Sequence, residues 1–362
     1  MRVFILTLPF HTNIGGVLQC YALRTVLKHK YNDVYVIHRN LYGHSIKAAL
    51  LYLRDTVFDL LFIRYNFKLN SIFRILFGKE LCNSILLRKF VKSHLNEYSI
   101  NNLYNFNWAK EDVVIVGSDQ VWRKGFITPL MNAYCDFLKD DKIKRIAYGV
   151  SFGKKEVDYN ENELNEAKRL LRKFSNVSVR ENDAAIFCKN VFNISADVVL
   201  DPTLLLSRND YLKLCQSPTS PKRCGYLYIL DDSPEIRAII DNVSNELDIP
   251  FTQYENIADK DNSIEKFLSS YAVSSYIVTD SFHGTVFSII FHKNFITINN
   301  PERGSSRFYT LLESVGLSDR LIDVKTGNSK ILDVLQTEID WADVDKRIEE
   351  LRSFSLKNLT LV

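Results

Sequence analysis

Short runs of β-branched and aromatic residues alternate along this chain with segments whose apolar residues recur every three or four positions. That alternation predicts parallel strands joined by crossover helices, an α/β architecture. In the first half the strand-like runs are 2–8 (RVFILTL), 33–39 (DVYVIHR), 112–116 (DVVIV), 144–150 (KRIAYGV), 176–180 (NVSVR) and 197–200 (DVVL). The rhythm restarts at 225–230 (GYLYIL), 250–254 (PFTQY), 275–279 (SYIVT) and 295–299 (FITIN). Between the halves lies a polar, proline-bearing stretch, Ser217-Pro218-Thr219-Ser220-Pro221-Lys222-Arg223. The pattern therefore predicts a first domain over 1–206, a linker over 207–223 and a second domain over 224–335. An amphipathic helix over 338–354, with Ile339, Val344, Ile348 and Leu351 on one stripe, lies in the closing segment 336–362 and is expected to pack back on the first domain. Each half reads as a doubly wound unit, and such sheets bind ligands beyond the carboxyl ends of their strands. Two of them face to face would enclose a cleft.

Residues 46–100 break the rhythm and read as two or three helices rich in Leu, Phe and Ile, a helical insertion in the first domain. Nine basic residues (47, 54, 64, 68, 74, 79, 88, 89 and 92) outnumber four acids (55, 59, 80 and 97) in it. Its apolar area can pack on its own domain. Alternatively it is a peripheral contact with an anionic membrane surface.

Composition narrows the classes. A length of 362 residues suits two domains. The 46 Lys+Arg against 43 Asp+Glu leave a formal +3, which argues against nucleic-acid binding driven by bulk charge. Apolar residues at 46% and charged residues at 25% are those of a globular protein, and disordered, collagen-like and coiled-coil classes are excluded. The six cysteines (20, 82, 135, 188, 215 and 224) form no CxxC pair and no zinc-ligand spacing with histidine. Free thiols in a reducing compartment are expected, and no metal site. The first residues do not read as a secretory signal and no run of 18 apolar residues occurs, so a cytoplasmic location is expected.

The candidate chemistry sits in polar turns at predicted strand ends. The first holds His11, Asn13, Gly15 and Gly16 before a helix. Glycines admit backbone N–H groups to a ligand and a helix N-terminus favours anions, although a tight strand-to-helix turn needs the same residues. The spacing is not GxGxxG, so a dinucleotide fingerprint is not supported. The second turn, Gly117-Ser118-Asp119-Gln120-Val121-Trp122, follows a wholly apolar strand. Polar groups there must meet a ligand or one another. Trp122 offers a face for a sugar, while a capping turn starting at Asp119 is the plain alternative. The third, Ser178-Val179-Arg180-Glu181, offers a guanidinium fork for carboxylate or phosphate beside a capping or proton-handling acid, or else an internal Arg–Glu pair. Asp201 before Pro202 reads as fixing a turn. The sharpest turn, Thr279-Asp280-Ser281-Phe282-His283-Gly284-Thr285, opens an apolar helix. Ser281, His283, the Gly284 backbone and Thr285 converge on its N-terminus, which suits a phosphate-bearing ligand, and a histidine there can move protons. A helix cap with a surface histidine is the alternative. No nucleophile elbow accompanies the Ser–His adjacency, so a serine hydrolase is excluded.

Taken in order, NIGGVLQCYAL (13–23), VGSDQVW (116–122), YGVSFG (148–153), VSVRE (177–181), DVVLDPTLL (197–205) and TDSFHGTVFSIIF (279–291), then Arg307 with Leu311-Leu312, resemble the polysaccharide pyruvyl transferase family. The resemblance covers nearly the whole chain outside 46–100, and Gly16 stands where many members carry an acid. It implies two Rossmann-like domains facing a cleft, similar to GT-B glycosyltransferases. It implies transfer of the pyruvyl group of phosphoenolpyruvate to a pair of sugar hydroxyls as a cyclic ketal, in capsular, exopolysaccharide or cell-surface glycan synthesis. Phosphoenolpyruvate is then a co-substrate, with no cofactor and no metal. Arg180 and His283 would clamp it across the cleft, assisted by Ser281, Gly284 and Thr285. Asp119 or Glu181 would be the base, and His283 a proton donor. Asn13, Gly15, Gly16, Ser118, Gln120, Trp122 and Arg307 would line the loops or face the acceptor. That acceptor would be lipid-linked, at the inner face of the cell membrane, with 46–100 touching the lipid. Two readings compete: a nucleotide-sugar-dependent glycosyltransferase of the same architecture, and a non-catalytic partner in glycan synthesis.

Overall fold

The computed structural model describes residues 1–10, 13–39, 53–65, 76–77, 84–153, 157–215, 223–253, 263–300 and 304–360. The first sheet contains β1 (Arg2–Leu6), β2 (Asp33–Arg39), β3 (Glu97–Ile100), β4 (Val113–Asp119), β5 (Lys144–Val150), β6 (Asn176–Val179) and β7 (Asp197–Val198). Their order is β3-β2-β1-β4-β5-β6-β7. The second contains β8 (Gly225–Tyr228), β9 (Phe251–Gln253), β10 (Tyr276–Thr279), β11 (Asn294–Ile298) and β12 (Leu321–Ile322), in the order β12-β11-β10-β8-β9. All pairings are parallel. The strand order reverses once in each sheet, between β1 and β4 and between β8 and β10, which makes both units doubly wound. Every residue of β4 is buried, as is Val3–Leu6 of β1. Strands covered on both faces have no solvent side to make polar, so they read as unbroken apolar runs.

The runs at 33–39 and 144–150 are strands over their full length, and the others are strands with shifted ends. Two strands were not anticipated. β12 has only two residues, and β3 is a half-exposed edge strand whose polar positions give it no apolar signature. β3 also corrects the extent of the insertion. Residues Ile85–His94 form a crossover helix that packs on α1 (Ile14–Lys28), with the Tyr21 and Phe90 rings 5.6 Å apart and Arg24 Nη1 donating to the His94 carbonyl at 2.8 Å. That helix and β3 therefore belong to the doubly wound unit. The narrow stripe Leu87, Phe90 and Val91 is set among basic residues, which hid it. Upstream, Phe58, Phe62 and Phe77 bury one another, and Arg88 forks onto Asp59 at 2.7 and 2.6 Å. Lys68, Arg74 and Lys79 lie outside the described residues. Among the described residues no helix is long and apolar enough to cross a membrane.

The largest apolar core is shared between the two sheets. Ile14, Val17 and Leu18 of α1, the turn Leu204–Leu206, and Val286 and Phe287 of the helix Phe282–Ile290 fall in one cluster. The closing helix Trp341–Lys357 adds Val344 and Ile348 to it. This helix is bonded to both halves. Ser355 Oγ accepts from the Leu200 amide at 2.9 Å, while Asp345 meets His292 Nε2 at 2.9 Å. The seam between the sheets is thus packed and polar at once.

Candidate functional site

The carboxyl ends of β4, β6, β7 and β10 converge on that seam. β4 ends at Asp119, in left-handed backbone with φ 71°, a conformation aspartate tolerates better than most residues. The chain after β6 presents Arg180 and Glu181, and that after β7 presents Asp201. Arg180 Nη1 donates to Asp201 Oδ2 at 2.9 Å and Nη2 to Asp119 Oδ1 at 3.2 Å. Its side chain is 1% exposed. The guanidinium carbon sits 4.7 Å from the Phe282 ring centroid, and that of Arg307 sits 5.5 Å from the same ring. One aromatic ring of the second sheet's helix is thereby held by cations from both halves. Asp119 Oδ2 touches Asn13 Nδ2 at 3.5 Å, and Asn13 caps α1 by accepting from the Gly16 amide at 3.0 Å.

His283 crosses the seam. Its Nε2 lies 3.7 Å from Asp201 Oδ2, within ion-pair reach but beyond a hydrogen bond. On its other side the ring rests on Gly15. A Cβ there would stand 2.1 Å from Nδ1, so only glycine admits the imidazole. Burial alone would raise the Asp201 carboxyl, but His283, Arg180 and Thr203 outweigh it and hold the group well below the usual carboxylate range. Burial works against the Arg180 charge too, and the Asp119 and Asp201 carboxylates more than offset it.

Glu181 behaves oppositely. Burial pushes its carboxyl above the usual range, and Arg180, the Ser151 hydroxyl and Arg307 oppose that rise without cancelling it. Ser151 Oγ donates to Glu181 Oε1 at 2.6 Å and accepts from the Gly153 amide at 2.9 Å. Glu181 Oε2 and Arg180 Nε are buried and make no hydrogen bond of good geometry. Buried polar atoms without partners are rare in folded proteins and call for an explanation, a ligand being one. Gly153 carries the seam further: Gly304 of the second half lies so close that a Cβ there would meet the Gly153 carbonyl at 2.5 Å.

Several anticipated contacts are inward-facing. Trp122 is fully buried; its indole stacks on Tyr134 at 5.1 Å and Nε1 donates to the Ala133 carbonyl at 3.1 Å. It cannot serve as a sugar platform, because the apolar strand end turns it into the core. Thr285 bonds the Ser281 carbonyl at 3.2 Å and Thr297 at 2.7 Å, so its hydroxyl does not face the cleft. Gly284 makes room for Thr279, whose Oγ1 would lie 2.1 Å from a Cβ, and its amide donates to the capping Ser281 at 3.4 Å. Ser118 Oγ donates to Gln19 at 2.7 Å, and Gln120 accepts from Arg123 at 2.9 Å. His11 lies outside the described residues. Asp201 was underrated as a turn former. The rule that singled out Asp119, a carboxylate just past an apolar strand, applies to it equally.

The sequence model of the family described as polysaccharide pyruvyl transferase matches residues 13–302, a span that contains every residue of this cluster except Gly304 and Arg307. The chain belongs to the polysaccharide pyruvyl transferase family. No curated protein matches it significantly in sequence. Among solved structures it is similar to UDP-GlcNAc 2-epimerase from Neisseria meningitidis bound to UDP-GlcNAc, with TM-score 0.50, 12% identity and 99% of each chain covered. It is equally similar to the trehalose-6-phosphate protein from E. coli bound with UDP-2-fluoro glucose, with TM-score 0.50, 10% identity, 99% of this chain and 96% of that one covered. These likenesses establish the fold: this pyruvyl transferase has the GT-B arrangement of two Rossmann-like units. At such low identity they carry nothing about its ligand.

Proposed function

We propose that this enzyme transfers the pyruvyl group of phosphoenolpyruvate to two hydroxyls of one sugar in a polysaccharide precursor, releasing phosphate and closing a ketal. The observation that carries the reading is a cationic and acidic cluster built from both halves by residues of the family's own motifs. Phosphoenolpyruvate brings two anionic groups to one small molecule. Arg180 and His283 approach the seam from opposite sheets, and Arg180 Nε is a buried donor without a partner.

The chemistry needs an acid, a base and a place for leaving charge. Glu181, whose carboxyl keeps its proton to higher pH than a surface glutamate, is the candidate donor to the methylene carbon. Protonation there makes C2 electrophilic, and the first sugar hydroxyl adds to it. Asp119, paired with Arg180, is the candidate base that takes that hydroxyl's proton. The second hydroxyl then displaces phosphate, passing its proton to the Glu181 carboxylate, while the proton on Asp119 leaves with the phosphate and His283 and Arg180 hold the departing charge. The acceptor is taken to be lipid-linked, and the basic face upstream of β3 to bring the enzyme to the inner face of the membrane. No cofactor is required.

Phosphoenolpyruvate and nucleotide sugars should be offered separately to the enzyme with a lipid-linked glycan, following phosphate and nucleotide release. Acceptor-dependent phosphate release with a mass gain matching a pyruvyl ketal supports the proposal. Nucleotide release instead would make it a glycosyltransferase.

A further inference from the structure

Asp201 is among the least accessible carboxylates of the chain: its side chain is 0% exposed. Its two oxygens have different duties. Oδ1 accepts from the Thr203 amide at 3.0 Å and from the Thr203 hydroxyl at 2.6 Å. Oδ2 accepts from Arg180 Nη1 at 2.9 Å and faces His283 Nε2 at 3.7 Å. Nε2 is shut off from solvent and has no hydrogen-bond partner of its own. The other groups around the ring are Arg180, which like it packs on Phe282, Asp119 beyond Arg180, and the positive end of α1 behind Gly15. Asp201 is the acceptor that Nε2 faces.

We propose that Asp201 is a positioning residue: from the first sheet it faces and orients the Nε2–H of His283, which comes from the second, and so leaves Nδ1, beside Gly15, as the nitrogen that must take up a second hydrogen before the ring can donate to an anion. A neutral imidazole carries one N–H, and the group facing one nitrogen decides which nitrogen carries it. The histidine owes this orientation to the packing of the two halves, since its partner belongs to the opposite sheet. The identity of the ligand as phosphoenolpyruvate rests on the function proposed above; the tautomer assignment does not.

The test exploits the asymmetry of the two oxygens. In Asp201→Asn an amide oxygen kept by the two Thr203 donors leaves an NH2 group in the place of Oδ2, where it also meets Arg180 Nη1, so Asp201→Ala, which presents neither donor nor acceptor, is measured beside it. A donor then faces Nε2, and the ring hydrogen moves to Nδ1. Full-length protein labelled with 15N-histidine reports this directly. The chain has seven histidines, and the signals that vanish in His283→Gln identify the pair. We expect the neutral ring to carry its hydrogen on Nε2 in the wild type and on Nδ1 in Asp201→Asn. The variant's kcat/KM for phosphoenolpyruvate should fall about 10–100-fold, the usual range for losing the partner that orients a functional histidine. Wild-type protein with the hydrogen on Nδ1 overturns the assignment even if the variant fails to fold. An unchanged tautomer in both folded Asp201→Asn and folded Asp201→Ala, each merely less stable, also overturns it, by making Asp201 structural. The labelled experiment needs no substrate. A wild type that shows the expected tautomer yet releases no phosphate would sink the proposed reaction and leave the positioning role standing.

Discussion

Gly15→Ala separates the helix from the site it supports. A Cβ at Gly15 would lie 2.1 Å from His283 Nδ1, 2.4 Å from Cγ and 2.7 Å from Cε1. Ordinary contact begins at 3.4 Å, so the ring must retreat by 1.3 Å. Within α1 itself alanine is the better residue, by about 1 kcal/mol. Overpacking at the seam costs about 1–3 kcal/mol in the other direction. The net loss of stability is then at most about 2 kcal/mol. Activity should respond far more, because a displacement of about 1 Å in a catalytic group typically costs about 10²-fold. The assays are denaturant unfolding and acceptor-dependent phosphate release on the same preparations. A double variant decides the mechanism: with His283→Ala the clash is gone, so Gly15→Ala should become neutral or stabilising in that background. Coupling of this kind is expected only between residues in contact. Gly15→Ala with wild-type turnover, or equal effects with and without His283, would refute the cross-seam contact.

Arg180→Lys should be nearly as harmful to phosphoenolpyruvate affinity as Arg180→Ala, since a point charge cannot hold Asp119 and Asp201 together and still present Nε; full affinity in the lysine variant would show that charge alone suffices. Glu181 titrates above its ordinary value in the fold, so its contribution to stability is present at low pH and lost as pH rises through the raised value. Glu181→Gln should therefore gain on the wild type in unfolding free energy from about pH 4.5 upward, while losing turnover; parallel stability curves would be the contrary result. Trp122→Phe should lose about 1 kcal/mol with the Ala133 hydrogen bond and leave the acceptor KM unchanged; a raised KM would return Trp122 to the cleft. Salt-sensitive flotation with anionic vesicles, weakened by reversing the exposed Lys92, would support the membrane contact; protein that stays soluble at low salt would dismiss it.

Most of the fold was legible because parallel sheets are written in long apolar runs. β4 and β1 could be read without knowing their neighbours. β3 could not, since an edge strand owes its place to pairing with β2 and to the helix before it, whose apolar stripe is only Leu87, Phe90 and Val91. The site was legible as a set of strand ends, and Asp119, Arg180, Glu181 and His283 all arrive at one seam. Which way each side chain turns was not. Trp122, Thr285 and Gly284 share motifs with cleft residues, yet their partners Tyr134, Thr297 and Thr279 draw them inward. Asp201 was underrated for the converse reason: its local role, accepting from Thr203, explains it so well that its distant partners are invisible in sequence.

A site shared by two sheets explains why its charges are arranged in alternation. Asp119, Arg180, Asp201 and His283 form a row in which the guanidinium stands between two carboxylates and the imidazole beside the second. Buried like charges side by side would cost more than burial could return, whereas alternation lets each ion be neutralised by its neighbour. The row is also incomplete in either half alone. Without the second sheet, Asp201 loses the histidine that helps hold it ionised; without the first, His283 has neither the carboxylate nor the glycine that seats its ring. Packing the halves together therefore does more than exclude water. It assembles the charge pattern itself, so an anionic ligand at Arg180 and His283 stabilises the packed pair to the extent that it prefers that pattern to the separate halves. Substitutions along the row should accordingly change ligand affinity and the coupling of the two halves together, while substitutions in the cores beneath should change stability without touching either.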